Sequence, residues 1–364
     1  MDNLLNHPFT DDMNETLFQL MRAALTDADC AMALSGDEWK RVYRMARQQS
    51  LVGVLWTVVK DQPLPLDVAM QWASEAETIR GLNTLLNDEA ARLTRRFAEA
   101  GRQTVILKGQ ANARLYPDPL TRQPGDIDIW VEGGRDSVLQ LIDMQGASVS
   151  YHHAHLPANE NGVVVEVHFR PASGNFNPFT NRRLQRWLEA AIAPHATGDF
   201  NSPSLRFALM MQLSHIQRHF MGSGVGLRQV CDYFLLLRAS TPEDRREITE
   251  HLTAFGLRRT AGALMWLLGE VLHMDRALML AEPDSYRGEW MLREVMEGGN
   301  FGHYAPKQQS GQWRRFFATR LRRLQLMRFD CREMVWCEVN YWRSIFRTLP
   351  KRIKYRTFSL RGIP

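Results

Sequence analysis

The sequence predicts an α+β protein, a small α/β unit set between helical N- and C-terminal regions. Three observations carry this reading. Apolar residues recur at helical spacing over the first hundred residues, strand-like stretches replace them between 104 and 169, and helical spacing returns from about Leu184 onward. The 364 residues, 45% hydrophobic and 23% charged, suffice for two or three cores and exclude wholesale disorder.

Taken in order, Met13, Leu17, Leu20, Met21 and Ala24 share one helical stripe. So do Trp39, Val42 and Ala46, and then Leu82, Leu85, Leu86, Ala90, Leu93 and Phe97. Pro63 and Pro65 break the helices between them, because proline fixes φ and lacks a donor. Residues 104–107 read as a short apolar strand ending in Lys108-Gly109; 110–116 is helix-compatible, and Pro117, Pro119 and Pro124 mark a turn. Residues 126–131 and 163–169 alternate with period two, with a helical stretch over 138–144 between them. The later helices are interrupted near Pro203, Gly222 to Gly226, Gly256 and Gly298 to Gly302. The expected division is a helical region over 1–100, an α/β core over 101–182, a helical region over 183–300 and a basic, aromatic-rich extension over 301–364.

The chemistry concentrates in two words, Gly125-Asp126-Ile127-Asp128-Ile129-Trp130-Val131 and Val163-Val164-Val165-Glu166-Val167-His168-Phe169. Alternate side chains of a strand share a face, so Asp126 and Asp128 project together while Ile127, Ile129 and Val131 point to the core. Like charges that close repel unless a cation sits between them, and oxygen-only ligands favour a hard ion such as magnesium. Glu166 has the matching parity, so neighbouring strands would bring three carboxylates around one or two ions, the equipment for phosphoryl or nucleotidyl transfer. The plain alternative is that Asp-x-Asp caps a turn, as acids at strand starts often do. Context argues against it, since the pair lies within an apolar strand. Upstream, Gly109 would let the backbone approach a phosphate at the start of a helix, and Arg122 would neutralise a triphosphate. His168 either orients Glu166 or touches the nucleotide, unless it is a half-buried strand histidine.

The run from Ile106 through Lys108, Gly109, Arg122, Asp126 and Asp128 to Val131, followed by Val165-Glu166-Val167-His168-Phe169-Arg170, resembles an uncharacterised bacterial nucleotidyltransferase family of the polymerase-beta-like superfamily. The resemblance covers about residues 104–170 specifically, and 39–55 and 215–237 more loosely. It implies a mixed sheet whose aspartates Asp126 and Asp128, with Glu166 on a nearby strand, hold two Mg2+ ions, Mn2+ being an alternative. It also implies a nucleoside triphosphate such as ATP as donor and release of pyrophosphate. The wider superfamily usually has Gly-Ser where this chain has Lys108-Gly109, which makes Lys108 a candidate phosphate contact. The acceptor is open between small molecule, RNA and protein. The rival readings are a catalytically silent nucleotide- or RNA-binding module and a toxin-type enzyme that modifies protein or tRNA.

His215 and His219 lie one helical turn apart, but without a nearby Glu or third ligand they read as polar lining of the cleft rather than a zinc pair. Arg228 and Asp232 either join that lining, as the resemblance implies, or simply pair along their helix. Gly222-Ser223-Gly224-Val225-Gly226 follows a helix rather than a strand, so it reads as a loop and not a dinucleotide fingerprint. Residues 313–364 carry fourteen Lys or Arg against three acids, a balance of +11 that leaves −6 on the rest of a chain whose net charge is +5. Arg314, Arg315, Arg320, Arg322 and Arg323 with Phe317, Leu321, Leu324 and Met327 read as an amphipathic helix. Beyond it, Trp336, Tyr341, Trp342, Phe346, Tyr355 and Phe358 interleave with arginines. This end is either a solvated basic face or a contact for a polyanion such as RNA or an anionic membrane surface. Cys30, Cys231, Cys331 and Cys337 form no Cys-x-x-Cys pair and suggest neither disulfides nor a cysteine metal site. No stretch is long and apolar enough to span a bilayer, and the acidic start lacks the order of a secretory signal, so a cytoplasmic location is expected.

Overall fold

Five strands make one mixed sheet in the computed structural model, which describes residues 12–300 and 312–354. Tyr355, Phe358, Gly302 and the first acidic residues of the chain lie outside them. Helices α1 (Asp12–Thr26), α2 (Gly36–Gln49) and α3 (Val52–Val59) precede a long α4 (Leu66–Glu99). Helix α2 starts sharply because Ser35 and Glu38 cap each other: Ser35 N–H donates to Glu38 at 2.7 Å and Glu38 N–H to the Ser35 hydroxyl at 3.4 Å. The buried stripe of α4 runs through Trp72, Ala76, Ile79, Asn83, Leu86, Ala90, Leu93 and Phe97. Leu82 and Leu85, expected on that stripe, instead stand 38% and 39% exposed. The stripe steps by three and four residues past them, on the neighbouring face.

The sheet comprises β1 (Thr104–Ile106), β2 (Ile127–Val131), β3 (Ser148–Val149), β4 (His153–His155) and β5 (Val165–His168), in the order β1-β2-β5-β4-β3. Strands β2 and β5 run parallel; the other pairs are antiparallel. On one face Ile106, Ile127, Ile129, Val131, Val165 and Val167 form a core with Leu86, Ala90, Leu93 and Phe97 of α4. Each such side chain contributes about 1.5–3 kcal/mol when fully buried. The other face carries the polar residues of the same strands.

Three local expectations need correction. Strand β2 begins at Ile127, so Asp126 lies in the loop before it. The helix expected over 110–116 is a four-residue α5 (Gln110–Ala113), too short to build a developed dipole. The one expected over 138–144 is α6 (Gly134–Leu139); the chain turns after it, and Ile142 reaches the sheet core without helical continuation. Strands β3 and β4 were not expected at all.

Helices α7 (Pro178–Ala191), α8 (Leu205–Met221), α9 (Leu227–Ala239), α10 (Pro242–His251), α11 (Arg258–Leu272) and α12 (Ser285–Gly298) follow, with a small hairpin of β6 (His195–Ala196) and β7 (Asn201–Ser202) before α8. They share one hydrophobic cluster with α1 to α3, so the early and late helical regions bury a common core. The last helix, α13 (Gln312–Lys354), breaks at Asp330, whose φ of −148° is not helical. Its two arms fold back on each other: Glu338 pairs with Arg320 and, at 2.9 Å, with Arg323, and Arg320 stacks 3.7 Å over Tyr341. Arg322 bonds Glu294 and the Phe220 carbonyl. Three arginines of the basic end are therefore spent within the protein, while Arg328, Arg332, Arg343 and Arg347 remain exposed.

The turn at residues 117–125, which delivers Asp126 to the sheet, is held from several sides. Asn83 on α4 donates to the Leu120 and Arg122 carbonyls, each at 2.8 Å. Arg122 forms a buried fork with Asp232 of α9, at 2.8 Å and 2.7 Å, and Tyr116 donates to the same carboxylate at 2.8 Å. Arg228 donates to the Gln123 carbonyl at 3.0 Å. On α3, Gly53 comes so close that a Cβ there would stand 2.3 Å from the Thr121 carbonyl oxygen.

Gly53→Ala must push α3 off the turn and should destabilise by about 1–3 kcal/mol, read as a lower urea midpoint. An unchanged midpoint would show that the contact relaxes without cost. Burial opposes the charge of Asp232, yet Arg122 and its hydrogen bonds hold the carboxyl below the usual range. A depressed carboxyl contributes stability that is full above the unfolded value, about 3.9, and is lost as pH falls through the folded one. Asp232→Asn should therefore lower stability at neutral pH by about 3–5 kcal/mol. It should also flatten the acid loss below about pH 4, and urea titrations that give both chains the same acid slope would contradict this assignment.

Candidate active site

The cleft above the polar sheet face is lined by Lys108, Gly109, Asn112, Arg122, Asp126, Asp128, His215, Arg228 and Asp232, among others. Its floor follows from strand register. In the parallel pair Asp128 lies opposite Glu166 and Trp130 opposite His168. In the next, antiparallel pair His153 lies opposite His168 and His155 opposite Glu166. Two carboxylates side by side destabilise a sheet unless compensated. Asp128 is compensated on both sides: Lys108 Nζ lies 3.0 Å from Oδ2, and His168 Nε2 lies 3.0 Å from Oδ1. Glu166 has three imidazoles nearby, His168 at 3.6 Å, His153 at 3.5 Å and His155 at 3.4 Å.

The protonation equilibria reflect this crowding. Burial alone would raise Asp128, but Lys108 and the His168 hydrogen bond hold it well below the usual carboxylate range. Glu166 is likewise lowered, burial being outweighed chiefly by the nearby His168 ring. Burial disfavours the charge of His168, yet its hydrogen bond to Asp128 and the nearby Glu166 carboxylate push it up to about 8. Lys108 stays above its ordinary value despite burial, because Asp128, Asp126 and Glu166 surround it. Asp126 moves the other way: the neighbouring charge of Asp128, then burial, raises it. Negative charge at Asp126 is thus incompletely compensated, which is the electrostatic condition a bound cation would relieve.

The residues picked out in the sequence distribute as follows. Asp128, Glu166 and His168 offer ligand atoms within 4.8 Å of one another. Asp126 stands outside that tight group, half-buried in the loop before the strand, although its charge couples to both acids. Gly109 has φ +61° and ψ −105°, a conformation that side-chain-bearing residues rarely adopt, and it turns the chain from β1 into the cleft. Arg122 and Asp232 pair with each other across the cleft wall at 2.7 Å, and Arg228, one turn away from Asp232 on the same helix, adds its charge to the pair. Burial and the nearby Arg122 push Arg228 down to about 10. His215 and His219 stack with ring centres 4.2 Å apart, and burial depresses both, His219 to about 4.

Sequence reasoning missed three contributors. Asn112 and Gln212 exchange amide hydrogen bonds of 2.9 Å and 2.7 Å across the cleft, and Tyr116 completes the Arg122–Asp232 pair. Strand β4 brings His153 and His155 beside Glu166; their alternation, His153-Ala154-His155, was the signal available for a strand there.

Among the described residues no helix is long and apolar enough to cross a membrane. No match was found among curated proteins or solved structures. Residues 35–273, which contain the sheet, the cleft and most of the surrounding helices, match the family described as uncharacterised nucleotidyltransferase, and the chain belongs to that family.

Proposed function

We propose that the protein is a metal-dependent nucleotidyltransferase that moves a nucleoside monophosphate from a triphosphate such as ATP to an acceptor hydroxyl, releasing pyrophosphate. The observation that carries this reading is the register of β2 and β5, which sets Glu166 beside Asp128, and Asp128 lines the cleft together with Asp126, Lys108 and Arg228. The oxygen-only donors Asp126, Asp128 and Glu166 fit Mg2+, with Mn2+ as an alternative, and the uncompensated charge at Asp126 supports a cation there. When bound, such ions supply charge that polarises the triphosphate and lowers the pKa of the acceptor hydroxyl.

The chain's own groups have separable roles. Lys108, held charged by the surrounding acids, is the cation available to a phosphate oxygen. Gly109 keeps the backbone bare where the donor approaches the turn. Arg122, committed to Asp232, positions the loop that carries Asp126 rather than binding phosphate itself. Arg228 braces the same loop through the Gln123 carbonyl. His168 orients Asp128 from beneath and balances both acids. His215 and the Asn112–Gln212 pair line the far wall, where the nucleoside or acceptor is recognised. The exposed arginines of α13 suit a polyanionic acceptor, and a cytoplasmic location suits a triphosphate-consuming enzyme.

The decisive assay incubates the protein with each labelled nucleoside triphosphate and Mg2+, with and without cell extract. Wild type should label an acceptor whose RNase or protease sensitivity gives its class. Asp126→Asn, Asp128→Asn and Glu166→Gln should each lower transfer by about 100-fold or more, since several kcal/mol of charge stabilisation is lost at about 1.4 kcal/mol per tenfold. Labelling that persists in all three variants would overturn the assignment, and wild-type triphosphate binding without transfer would favour a silent binding module.

A further inference from the structure

Beyond the three acids, the same sheet face continues into a nitrogen-rich end of which the proposed transfer reaction uses only His168. His152 precedes β4, His153 begins it, and His168 lies directly opposite His153 in the register with β5. One ligand atom from each of these three rings lies within 4.8 Å of the other two. The ring centres are 4.3 Å, 5.3 Å and 5.1 Å apart. His152 Nε2 and His153 Nδ1 approach to 2.9 Å, near the roughly 3.3 Å that separates two nitrogens on a tetrahedral ion with bonds of about 2.0–2.1 Å. His152 and His153 are not fully buried, so an ion has a way in.

His168 supplies the second half of the argument. Its Nε2 is held by Asp128 at 3.0 Å, while its Nδ1 is buried without a hydrogen-bond partner. A buried ring nitrogen left without a partner costs free energy in the folded state. An imidazole fixed by a carboxylate through one nitrogen and open at the other is the arrangement found in carboxylate–histidine–metal triads, where the carboxylate sets the tautomer and strengthens the ligand. Glu166, 3.5 Å from His153 Nε2, stands beside the cluster as a further oxygen donor or outer partner.

We propose that His152, His153 and His168 form a binding site for a borderline transition-metal ion of the Zn2+ class, separate from the oxygen site at Asp126 and Asp128. Imidazole donors favour Zn2+ and its transition-metal neighbours, whereas Mg2+ demands oxygen ligands, so one sheet face offers two sites of different selectivity. The ion would close the open side of His168 and lock the ring that holds Asp128. This inference does not depend on the transfer reaction, because metal binding is measured directly.

The test uses the full chain, stripped with a chelator and titrated with Zn2+ by calorimetry, and with Co2+ followed by its visible absorption, in the presence of excess Mg2+. One Zn2+ per chain should bind with micromolar or tighter affinity and resist Mg2+, and Co2+ should show the intense bands of a tetrahedral site. His152→Ala and His153→Ala should each weaken Zn2+ by more than about 100-fold, beyond what loss of an outer partner produces. Asp126→Asn should bind as wild type. His152→Gln serves as the second variant at that partly buried position, and matching circular dichroism and melting of the metal-free proteins would show that folding is intact. Absence of stoichiometric Zn2+ in the wild type would overturn the proposal. So would histidine variants that bind as tightly as wild type, or loss of Zn2+ only in Asp126→Asn.

Discussion

Two carboxylates forced side by side by a parallel strand pair are the constraint around which this protein is organised. Asp128 and Glu166 share a register position, so neither can turn away without moving its strand and with it the apolar residues on the reverse face. Their charge must be balanced in place. Lys108 does this from the end of β1, and His168 from the next same-face position on β5. The arrangement is tolerable because each buried acid has a positive or hydrogen-bonding partner, and a buried charge without one would cost several kcal/mol. Balance is incomplete only at the edge, where Asp126 feels its neighbour's charge.

The second requirement is mechanical. Asp126 belongs to a loop, and a loop residue holds a fixed place only if its backbone is tied down. The Arg122–Asp232 fork, Tyr116, Arg228 and Asn83 tie residues 117–125 to α9 on one side and α4 on the other. A buried ion pair is weak evidence of added stability, since desolvation offsets much of the attraction. Its directional, two-bond geometry instead fixes where α9 sits relative to the sheet, and α9 forms the cleft wall. The helices that look unrelated to the chemistry therefore set the width of the cleft, because α9 is buried in the cluster that α1, α3, α8 and α11 share.

Much of this was legible in the sequence where period and chemistry agreed. Alternation over 127–131 and 165–168 separated a core face from a polar face, and burial of Ile127, Ile129, Val165 and Val167 follows that division. The general fold was readable for the same reason, and the family through the resemblance carried by the runs 106–131 and 165–170. Other features depend on contacts between distant residues and leave no local trace. Arg122 looked like a phosphate ligand because it lies near Asp126 in sequence; its partner is 110 residues away on a helix. Arg228 and Asp232, one turn apart, read either as cleft lining or as a helix pair; both line the cleft, and the two-pronged geometry on Asp232 belongs to Arg122. The basic end read as either a solvated face or a polyanion contact; the break at Asp330 folds it back and pairs Arg320 and Arg323 with Glu338, while Arg328, Arg332, Arg343 and Arg347 stay exposed. A charge count cannot anticipate a hairpin.

The histidine end of the sheet face shows the same limit more sharply. His152, His153 and His155 are conspicuous as a cluster, but the strand that carries the last two is three residues long and offers a single alternation, His153-Ala154-His155. Their meaning comes from pairing: β4 against β5 turns three scattered imidazoles and one carboxylate into a continuous row with Asp128. Along that row the donors change from oxygen at the cleft to nitrogen at the sheet's far side, and His168 belongs to both ends. Any group that occupies its free nitrogen acts on the ring that orients Asp128, so the two ends of the face are coupled through one side chain rather than through a change of fold.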